Sequence, residues 1–332
     1  MLFARTSLIG RFRFTLQLKE TVRILVTGGA GFIGANLSSF LVSRGHDVRA
    51  LDDLSTGSES NLSGLPTVDL KVGSLLDRGM VERCLADVDA VVHLGARPSV
   101  PRSIADPLAS HDVNVNGTMN LLEACRAIPK PPQIVFASSS SVYGANPIMP
   151  KHEGLATLPR SPYAASKLAG EAYLLSYGSS FGFDVLPFRF FNVYGPLQAA
   201  GHAYAAVVPA FVQAALNGRP LPVHGDGQQT RDFTHVQTVA QVITTAIENR
   251  ITSASPVNLA FGTRTSLLTV IELLSGIVGR SLEIDFLPTR QGDVRDSQAD
   301  NSVLLGLFPT VEPVELELGL KTCVEWMSGC PA

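Results

Sequence analysis

The amino-acid sequence predicts an α/β fold in which a doubly wound parallel sheet carries helices on both faces. Two observations lead to this prediction. Short β-branched, apolar runs alternate with apolar helical patterns between residues 22 and 192, as in repeated βα units. A glycine-rich segment, GGAGFIG at 28–34, joins the first apolar run directly to the first helical pattern. The order is therefore strand, tight turn, helix, which is the start of a Rossmann-type fold.

The individual elements follow from the period of the apolar residues. Apolar runs of about four to eight residues are typical of buried parallel strands, and apolar residues three or four apart are typical of a helix face. The predicted strands are 22–27, 47–51, 68–72, 90–94, 133–137 and 184–190, and the predicted helices are 35–44, 80–85, 113–127 and 163–181.

The alternation loosens after residue 192. Helical patterns remain at 205–217, 239–249, 268–278 and 315–328, but strands no longer separate them regularly. We therefore expect a dinucleotide-binding domain at 22–192 and a smaller, less regular substrate region at 193–332. Some segments of the second region are expected to return to the first.

The composition is that of an ordinary soluble globular chain. The 332 residues carry a net charge of −3, with 17% charged and 45% hydrophobic residues. The sequence has no basic excess for nucleic acid and no apolar stretch of about 18 residues for a membrane span. The four cysteines lack metal-type spacing, so we expect reduced thiols, no metal site and a cytoplasmic protein.

Residues 1–21 precede the first predicted strand. Three arginines and no acid occur before Glu20, but the apolar core and small-residue cleavage site of a secretory signal are not evident. We expect a disordered N-terminal extension here.

The glycine turn predicts a site for a dinucleotide. Gly28, Gly31 and Gly34 let the backbone approach a pyrophosphate, which then lies on the N–H groups at the start of the helix. Asp52 ends the second strand, close to the spacing of roughly 20 residues at which an acid binds the adenosine ribose. Because a carboxylate repels a 2′-phosphate, NAD is favoured over NADP, and Asp53 can share the role.

Tyr163 and Lys167 are the candidate chemical groups. On a helix they occupy positions i and i+4, so the phenol and the ammonium lie on one face. A tyrosine with a pKa of about 10 is a poor base, and a fixed cation beside it favours the phenolate. The serine run at 138–141 follows a predicted strand at the same edge of the sheet, where a hydroxyl can donate to a substrate oxygen.

A histidine and three arginines are further polar residues that have either a structural or a functional interpretation. His93 lies inside a predicted strand and not beyond it, so we expect a buried core histidine. Arg231, Arg290 and Arg295 stand in turns of the C-terminal region, where paired guanidinium groups suit a diphosphate. Taken singly, each is more typical of an arginine in a surface ion pair.

Nine sequence motifs follow one another along the chain. They are TGGAGFIG at 27–34, LDDLSTG at 51–57, HLGA at 93–96, NVNGT at 114–118, SSSSVYG at 138–144, SPYAASKLAGE at 161–171, RFFNVYGP at 189–196, GDGQQTRDF at 225–233 and GDVR at 292–295. In this order they resemble the motifs of the extended short-chain dehydrogenases/reductases of the nucleotide-sugar epimerase/dehydratase group. The resemblance runs from about residue 22 to 326 and is closest to UDP-glucose and UDP-N-acetylglucosamine 4-epimerases.

The resemblance implies a role for each matching position. Tyr163 would be the catalytic base, Lys167 would bind the nicotinamide ribose and lower the tyrosine pKa, and Ser139 would hydrogen-bond the reacting hydroxyl. Asn116 would be the family's site-ordering asparagine. The implied NAD contacts are Gly28, Gly31, Phe32, Ile33, Gly34, Asp52, Asp53, Ser74, Leu75, Leu94, Gly95, Ala96, Asn116, Tyr163 and Lys167. The implied substrate contacts are Ser139, Ser140, Ser141, Asn192, Arg231, Arg290 and Ser297, of which Asn192, Arg231 and Arg290 would hold the diphosphate.

Ser140 and Ser141 narrow the set of reactions that the resemblance allows. In the related 4,6-dehydratases and decarboxylases, the resemblance would require acidic residues here, and a serine is not an effective general acid. A 4-epimerase needs no such acid, because reversible oxidation at C4 gives a 4-keto intermediate that is reduced from the other face. A 4,6-dehydratase, a UDP-glucuronate decarboxylase or epimerase, and a non-catalytic NAD-binding protein remain the alternatives.

The substrate prediction depends on the expected pocket gate. The family's gating position falls on Ser297, a small residue where a tyrosine would restrict the pocket to plain hexoses. We therefore expect UDP-N-acetylglucosamine and UDP-N-acetylgalactosamine to be accepted with UDP-glucose and UDP-galactose. Ser74 and Arg97 depart from the usual family pattern, and the resemblance also implies a homodimer.

Overall fold

A computed structural model of the chain describes residues 21–200, 206–289 and 295–329. Its centre is a seven-stranded parallel sheet in the order β11-β6-β5-β4-β1-β2-β3, which confirms the predicted doubly wound sheet. The strands of this sheet are β1 (Arg23–Thr27), β2 (Asp47–Asp52), β3 (Asp69–Val72), β4 (Ala90–His93), β5 (Gln133–Ser139), β6 (Val185–Phe190) and β11 (Val257–Leu259). The remaining strands form two-stranded pairs: β7 (Asn192–Tyr194), β8 (Leu221–His224), β9 (Thr230–Arg231), β10 (Phe233–His235), β12 (Thr265–Ser266) and β13 (Ile284–Leu287).

Helices cover both faces of the large sheet. They are α1 (Phe32–Ser43), α2 (Arg78–Cys84), α3 (Val100–Ala105), α4 (Pro107–His111), α5 (Gly117–Arg126), α6 (Pro162–Phe181), α7 (Val207–Leu216), α8 (Val236–Glu248), α9 (Leu267–Val278), α10 (Ser302–Leu307) and α11 (Leu316–Gly329). Short 3₁₀ turns lie at Glu59–Leu62 and Ser140–Tyr143, and a π-helical turn lies at Asp112–Asn116. None of the helices in the described part of the chain is long and apolar enough to cross a membrane.

Alternate residues of each strand enter different cores. Ile24 and Val26 of β1 pack with α1, α8 and α10 on one face, whereas Leu25 packs with α2, α5 and α6 on the other. This arrangement explains why the strand sequences read as continuous apolar runs: both sides of the sheet are buried.

The C-terminal half completes the first core. Strand β11 pairs with β6 at one edge of the large sheet, and α8 lies against α1. A separate apolar cluster, built mainly from α7, α9, α11 and β8, forms the rest of the C-terminal region. The boundary expected near residue 192 therefore does not separate two independent cores.

Several elements differ from the sequence prediction. Strand β5 continues to Ser139, two residues beyond the predicted end, because Ser138 and Ser139 pair with Arg189 and Phe190 of β6. Helices α3 and α4 were not predicted, since each begins with or near a proline and is short. Residues 1–20 of the expected extension, residue 205 of the predicted 205–217 helix and Arg290 lie outside the described residues.

Candidate active site

A cavity of about 460 Å³ opens at the carboxyl ends of the parallel strands. Nearly all the residues expected to contact a dinucleotide lie in its wall. They are Gly28, Gly31, Phe32, Ile33, Gly34, Asp52, Asp53, Ser74, Leu75, Leu94, Gly95, Ala96, Tyr163 and Lys167, and Ser139 lies there with them. The topology thus collects residues from five strand ends into one space.

The glycine turn leaves room for a backbone-lined ligand. Gly28 has a φ of +68°, which side chains of L-residues rarely adopt. A Cβ at Gly34 would come within 2.1 Å of the Gly28 carbonyl oxygen, so the close approach of helix α1 to the turn requires a glycine there. This cradle fits the pyrophosphate of a dinucleotide at the N-terminus of α1.

Asp52 lies at the end of β2 beside this turn. Its carboxylate accepts hydrogen bonds from the backbone N–H groups of Ala30 at 3.0 Å and Leu54 at 2.8 Å. Burial raises the pKa of Asp52, and these backbone hydrogen bonds oppose the rise. The turn and the acid are therefore held in fixed register, as a ribose-binding carboxylate requires.

Tyr163 occupies the first turn of α6. Ser161 caps the helix by accepting from the backbone N–H of Ala164, and the Ser103 hydroxyl oxygen of α3 accepts from the Tyr163 N–H at 3.0 Å. Ser139 lies with Tyr163 in the cavity wall, and its side chain lowers the pKa of the Tyr163 hydroxyl. A tyrosine, a strand-end serine and a helix are thus tied together at the cavity wall.

The acid–base state of Tyr163 differs from the sequence expectation. Desolvation by burial raises its pKa above the ordinary value of 10, while the hydrogen bond with Ser139 lowers it. Lys167 does not contribute to the shift in this protein chain. The sequence led us to expect that Lys167 lowers the Tyr163 pKa. The positions of these two side chains do not by themselves produce that lowering.

Lys167 is buried against strand β5. Its Nζ donates to the Ala137 carbonyl oxygen at 2.8 Å and lies 5.3 Å from the centre of the Phe136 ring. Burial lowers the pKa of Lys167 to about 8. The ammonium is therefore held against β5 and can lose its proton in a mildly alkaline solution.

Asn114, and not the expected Asn116, makes the buried hydrogen bonds next to the cavity. Asn116 is exposed and donates to Asp112 on its own helical turn. Asn114 is buried, accepts from the Arg97 N–H at 2.7 Å and donates to the Ser166 hydroxyl at 2.9 Å. Within the π-helical turn at Asp112–Asn116, Asn114 is the buried asparagine and Asn116 is the exposed one.

Ser140 and Ser141 belong to the 3₁₀ turn after β5. The Ser141 N–H and hydroxyl both donate to the Ser139 hydroxyl oxygen, at 3.2 and 2.9 Å. Neither Ser140 nor Ser141 is part of the cavity wall, whereas Ser138 and Ser139 are. Ser141 thus acts on Ser139 by orienting its hydroxyl.

The residues expected to hold a diphosphate form a second group in the C-terminal region. Arg231 Nη1 donates to the carbonyl oxygens of Thr230 at 2.9 Å and Arg295 at 3.3 Å, and Ser297 N–H donates to the Thr230 carbonyl oxygen at 3.1 Å. Asn192 donates from its backbone N–H to the Asp232 carbonyl oxygen at 3.2 Å. Arg231, Ser297 and Asn192 therefore lie on adjoining segments, although they are not in the wall of the main cavity.

Other contacts at the site were not anticipated. Ser103, Asn114 and Ser166 support the residues that face the cavity, and Phe190 and Gln198 line it. All five occur in the sequence as ordinary helix, strand or loop residues. No local sequence pattern therefore indicated that they belong to the site. Arg97, noted as a departure from the family, does line the cavity and forms an ion pair with Asp106 at 3.4 Å.

His93 confirms the expected structural role. Its two ring nitrogens lie 2.7 Å from the Thr27 hydroxyl oxygen and 2.9 Å from the Thr118 hydroxyl oxygen. Burial first, and the Lys167 charge second, lower the pKa of His93 to about 3, so the ring is neutral.

A glycine turn, a ribose-type acid and a tyrosine–lysine pair at one sheet edge define a dinucleotide-dependent class of proteins. The chain belongs to the NAD dependent epimerase/dehydratase family, whose model matches residues 24–260. The cofactor of this family is NAD, and the cavity wall described above fits it.

Relatives agree on nucleotide sugars and differ in the sugar. The UDP-glucose 4-epimerase of Mycolicibacterium smegmatis is 36% identical over 310 residues, covering 92% of this chain and 98% of the relative. A probable UDP-glucuronate 4-epimerase of Rhizobium meliloti is 32% identical over 334 residues, covering 92% and 96%.

Solved structures give the same picture. The UDP-N-acetylglucosamine 4-epimerase of Methanobrevibacter ruminantium, in complex with UDP-N-acetylmuramic acid, has a TM-score of 0.87 at 35% identity, covering 93% of this chain and 99% of that one. The UDP-glucose 4-epimerase of Thermus thermophilus, in complex with NAD, has a TM-score of 0.84 at 34% identity, covering 93% and 100%.

Proposed function

We propose that the protein is an NAD-dependent 4-epimerase of UDP-sugars. The observation that carries this proposal is that Tyr163, Ser139 and Lys167 meet in the wall of one cavity, with the Lys167 ammonium buried on the same face of α6. These groups can move one proton to and from a sugar hydroxyl, which is the acid–base chemistry that a C4 epimerisation needs.

NAD would be held by the glycine turn, Asp52 and Lys167, and it supplies the acceptor and later the donor of the C4 hydride. Ser139 hydrogen-bonds the C4 oxygen and keeps it against the Tyr163 hydroxyl oxygen. Tyr163, as the phenolate, takes the hydroxyl proton when the carbon is oxidised and returns it when the ketone is reduced. Lys167 places a positive charge on the same face of α6 as Tyr163, and with the nicotinamide ribose bound it would favour the phenolate.

The serines at 140 and 141 support epimerisation over elimination. Neither side chain is a general acid, and Ser141 is already engaged with the Ser139 hydroxyl. A 4,6-dehydratase would need a proton donor for the hydroxyl that leaves C6 as water, and these positions do not provide one.

Ser297 supports acceptance of N-acetylated sugars. It is a small, half-buried residue whose segment pairs with Thr230 next to Arg231. If Arg231, Asn192 and Arg290 hold the diphosphate, Ser297 lies near the sugar and leaves space for a C2 substituent. We therefore propose UDP-N-acetylglucosamine and UDP-N-acetylgalactosamine as substrates together with UDP-glucose and UDP-galactose.

UDP-glucuronate is a second candidate substrate for the same reaction. Arg97 lies in the cavity wall beside the site and offers a cation to a C6 carboxylate, although Asp106 shares that guanidinium. The similarity to a probable UDP-glucuronate 4-epimerase is in keeping with this candidate.

We also propose a cytoplasmic homodimer. Ile104, Leu108 and Tyr173 expose large apolar side chains on α3, α4 and α6, which adjoin one another. Such a surface suits a second copy of the chain. The described cysteines, Cys84, Cys125 and Cys323, are buried and unpaired, as in reducing compartments.

One product assay tests the activity. The purified protein is incubated separately with the four UDP-hexoses and UDP-N-acetylhexosamines and with UDP-glucuronate, and the products are identified by NMR. We expect the C4 epimer with the nucleotide intact. Release of water or carbon dioxide from the substrate, or no turnover of any of the five, would contradict the proposal.

A further inference from the structure

Glu171 extends the tyrosine–lysine face of α6 by one more turn. Tyr163, Lys167 and Glu171 are each four residues apart, so they follow one side of the helix. Glu171 is only 3% exposed, and its Oε2 accepts a 2.6 Å hydrogen bond from the Ser138 hydroxyl. Ser138 directly precedes Ser139, which bonds Tyr163.

Arg189 holds the same carboxylate from the neighbouring strand. Its Nε donates to Glu171 Oε2 at 3.0 Å and its Nη2 to Oε1 at 2.6 Å, in a two-pronged ion pair whose side chains are each 4% exposed. Ser138 and Arg189 are register partners in β5 and β6. One carboxylate therefore joins α6 to two adjacent strands at the point where they reach the cavity.

The packing around this carboxylate is close. A Cβ at Gly170 would come within 2.7 Å of the Phe136 ring, so the helix lies directly on β5 beside Glu171. Burying a charged pair costs free energy that is offset only when the geometry is good and the remaining polar atoms are satisfied. An apolar contact would hold the helix equally well, so the ion pair is better explained by a demand for fixed geometry.

We infer that Glu171 is a positioning residue for the reaction. Its hydrogen bond to Ser138 attaches strand β5 to α6. This contact sets the position of the next residue's hydroxyl, that of Ser139, relative to the hydroxyl of Tyr163 on α6. This inference rests on the roles proposed above for Ser139 and Tyr163. Glu171 is not itself part of the cavity wall and makes no hydrogen bond to those two hydroxyls; it acts through Ser138, which does lie in the wall.

The network continues toward the proposed sugar pocket. The Arg189 guanidinium lies 4.7 Å from the centre of the Tyr143 ring, and the Tyr143 hydroxyl donates to Asn258 Oδ1 at 2.7 Å. Asn258 Nδ2 donates to the carbonyl oxygens of Lys151 at 2.8 Å and Asp300 at 3.1 Å. Asp300 lies three residues after Ser297. Through these contacts Glu171 is linked to the segment that contains the expected pocket gate, Ser297.

Two single variants and their combination test the inference. Ser138→Ala removes the hydroxyl between Glu171 and the strand but leaves the ion pair with Arg189, whereas Glu171→Gln keeps the shape and removes the charge. We expect each to lower kcat about tenfold or more, with KM for the UDP-sugar changed less than threefold. The double variant should lose no more kcat than the more impaired single variant, since both substitutions break the same contact between Ser138 and Glu171.

Glu248→Gln is the matched control. Glu248 is also a 4% exposed carboxylate, and it pairs with Arg44 on the opposite side of the sheet from α6. This variant should lower Tm while leaving kcat at the wild-type value. The pH profile adds a second comparison: loss of the Ser139 hydrogen bond should move the rising limb of kcat to higher pH in Ser138→Ala and Glu171→Gln only.

A measurement without turnover separates this inference from the proposed function. With ¹³Cζ-labelled tyrosine, the NMR signal of Tyr163, assigned with Tyr163→Phe, reports the environment of its hydroxyl. It should shift in Ser138→Ala and not in Glu248→Gln, even if no UDP-sugar is turned over. If Tyr163 resonance, kcat and pH profile all stay at wild-type values in Ser138→Ala, Glu171 has a structural role alone. Ser138→Ala decides the matter if Glu171→Gln fails to fold.

Discussion

Lys167 Nζ donates a 2.8 Å hydrogen bond to the carbonyl oxygen of Ala137, two residues before Ser139. Helix α6 is thus attached to strand β5 at the level of the cavity as well as at Ser138. The attachment places a buried cation where its charge depends on pH, because burial lowers the pKa of Lys167 to about 8.

Lys167→Met should reduce kcat by about a hundredfold, a size usual for loss of a group that assists proton transfer. In the wild type the ammonium loses its proton as pH rises through about 8, so kcat should decline above that value. The decline should be absent from the variant. A pH–rate profile from 6 to 9.5 measures both effects, and an unchanged alkaline limb in the variant would argue against Lys167 as its source.

Tyr163→Phe should abolish epimerisation, with a fall in kcat on the order of 10²- to 10⁴-fold. The ring keeps its packing at the start of α6, so the bound NAD and the Tm should stay near wild type. Tyr173→Phe is the control, since Tyr173 is an exposed tyrosine on the same helix. Substantial residual turnover in Tyr163→Phe would remove the tyrosine from the role of base.

Gly34→Ala should destabilise the protein by about 1–3 kcal/mol and expel NAD, because the new methyl group would meet the Gly28 carbonyl oxygen at 2.1 Å. Gly276→Ala provides the contrast. Gly276 lies within α9 with nothing within 4 Å of the added Cβ, so alanine should stabilise the helix by about 1 kcal/mol. Urea unfolding measures the change in stability, and the absorbance of co-purified NAD measures cofactor binding. Tight NAD binding by Gly34→Ala would contradict the glycine turn as the pyrophosphate site.

Ser297→Tyr should remove activity on UDP-N-acetylhexosamines while retaining activity on UDP-glucose and UDP-galactose. The phenol would fill the space that a C2 acetamido group needs, and loss of one well-fitting group changes selectivity by roughly 10- to 200-fold. The ratio of the two kcat/KM values is the measurement. Equal loss of both activities would count against a gate at Ser297.

His93 should make the fold sensitive to mild acid. Its pKa is lowered from 6.5 to about 3, so below pH 6.5 the unfolded chain binds a proton that the folded chain does not. Stability present above pH 6.5 is therefore lost as the pH falls, by about 1.4 kcal/mol per unit from this group. Between pH 7 and 5 the wild type should lose about 2 kcal/mol more than His93→Phe, and equal losses in urea unfolding would exclude His93 as the cause.

The large sheet could be predicted because its strands are buried on both faces. Long apolar runs in β1, β5 and β6 stand out against the polar segments between them. Strand β11 could not be found in the same way, since Val257–Leu259 is three residues long with an asparagine in the middle. Its place at the sheet edge is decided by pairing with β6, a contact between distant parts of the chain.

The site shows the same division between local and long-range information. Tyr163 and Lys167 could be predicted because four residues are one helical turn. Asn114 could not be chosen over Asn116 without the π-helical turn, and the apparent help of Lys167 to Tyr163 could not be judged without the position of its ammonium at Ala137. The contacts of Arg290 lie outside the described residues, so its assignment to the diphosphate stays a prediction.

The edge strand β11 has a consequence for synthesis of the protein. Until Val257–Leu259 leaves the ribosome, β6 exposes a row of unpaired backbone groups, and the apolar side chains on the α1 face lack α8 to cover them. A nascent chain ending near residue 192 therefore carries every residue of the glycine turn and the tyrosine–lysine pair but an open sheet. Completion of this sheet edge and of the α1 face must therefore wait for the second half of the chain.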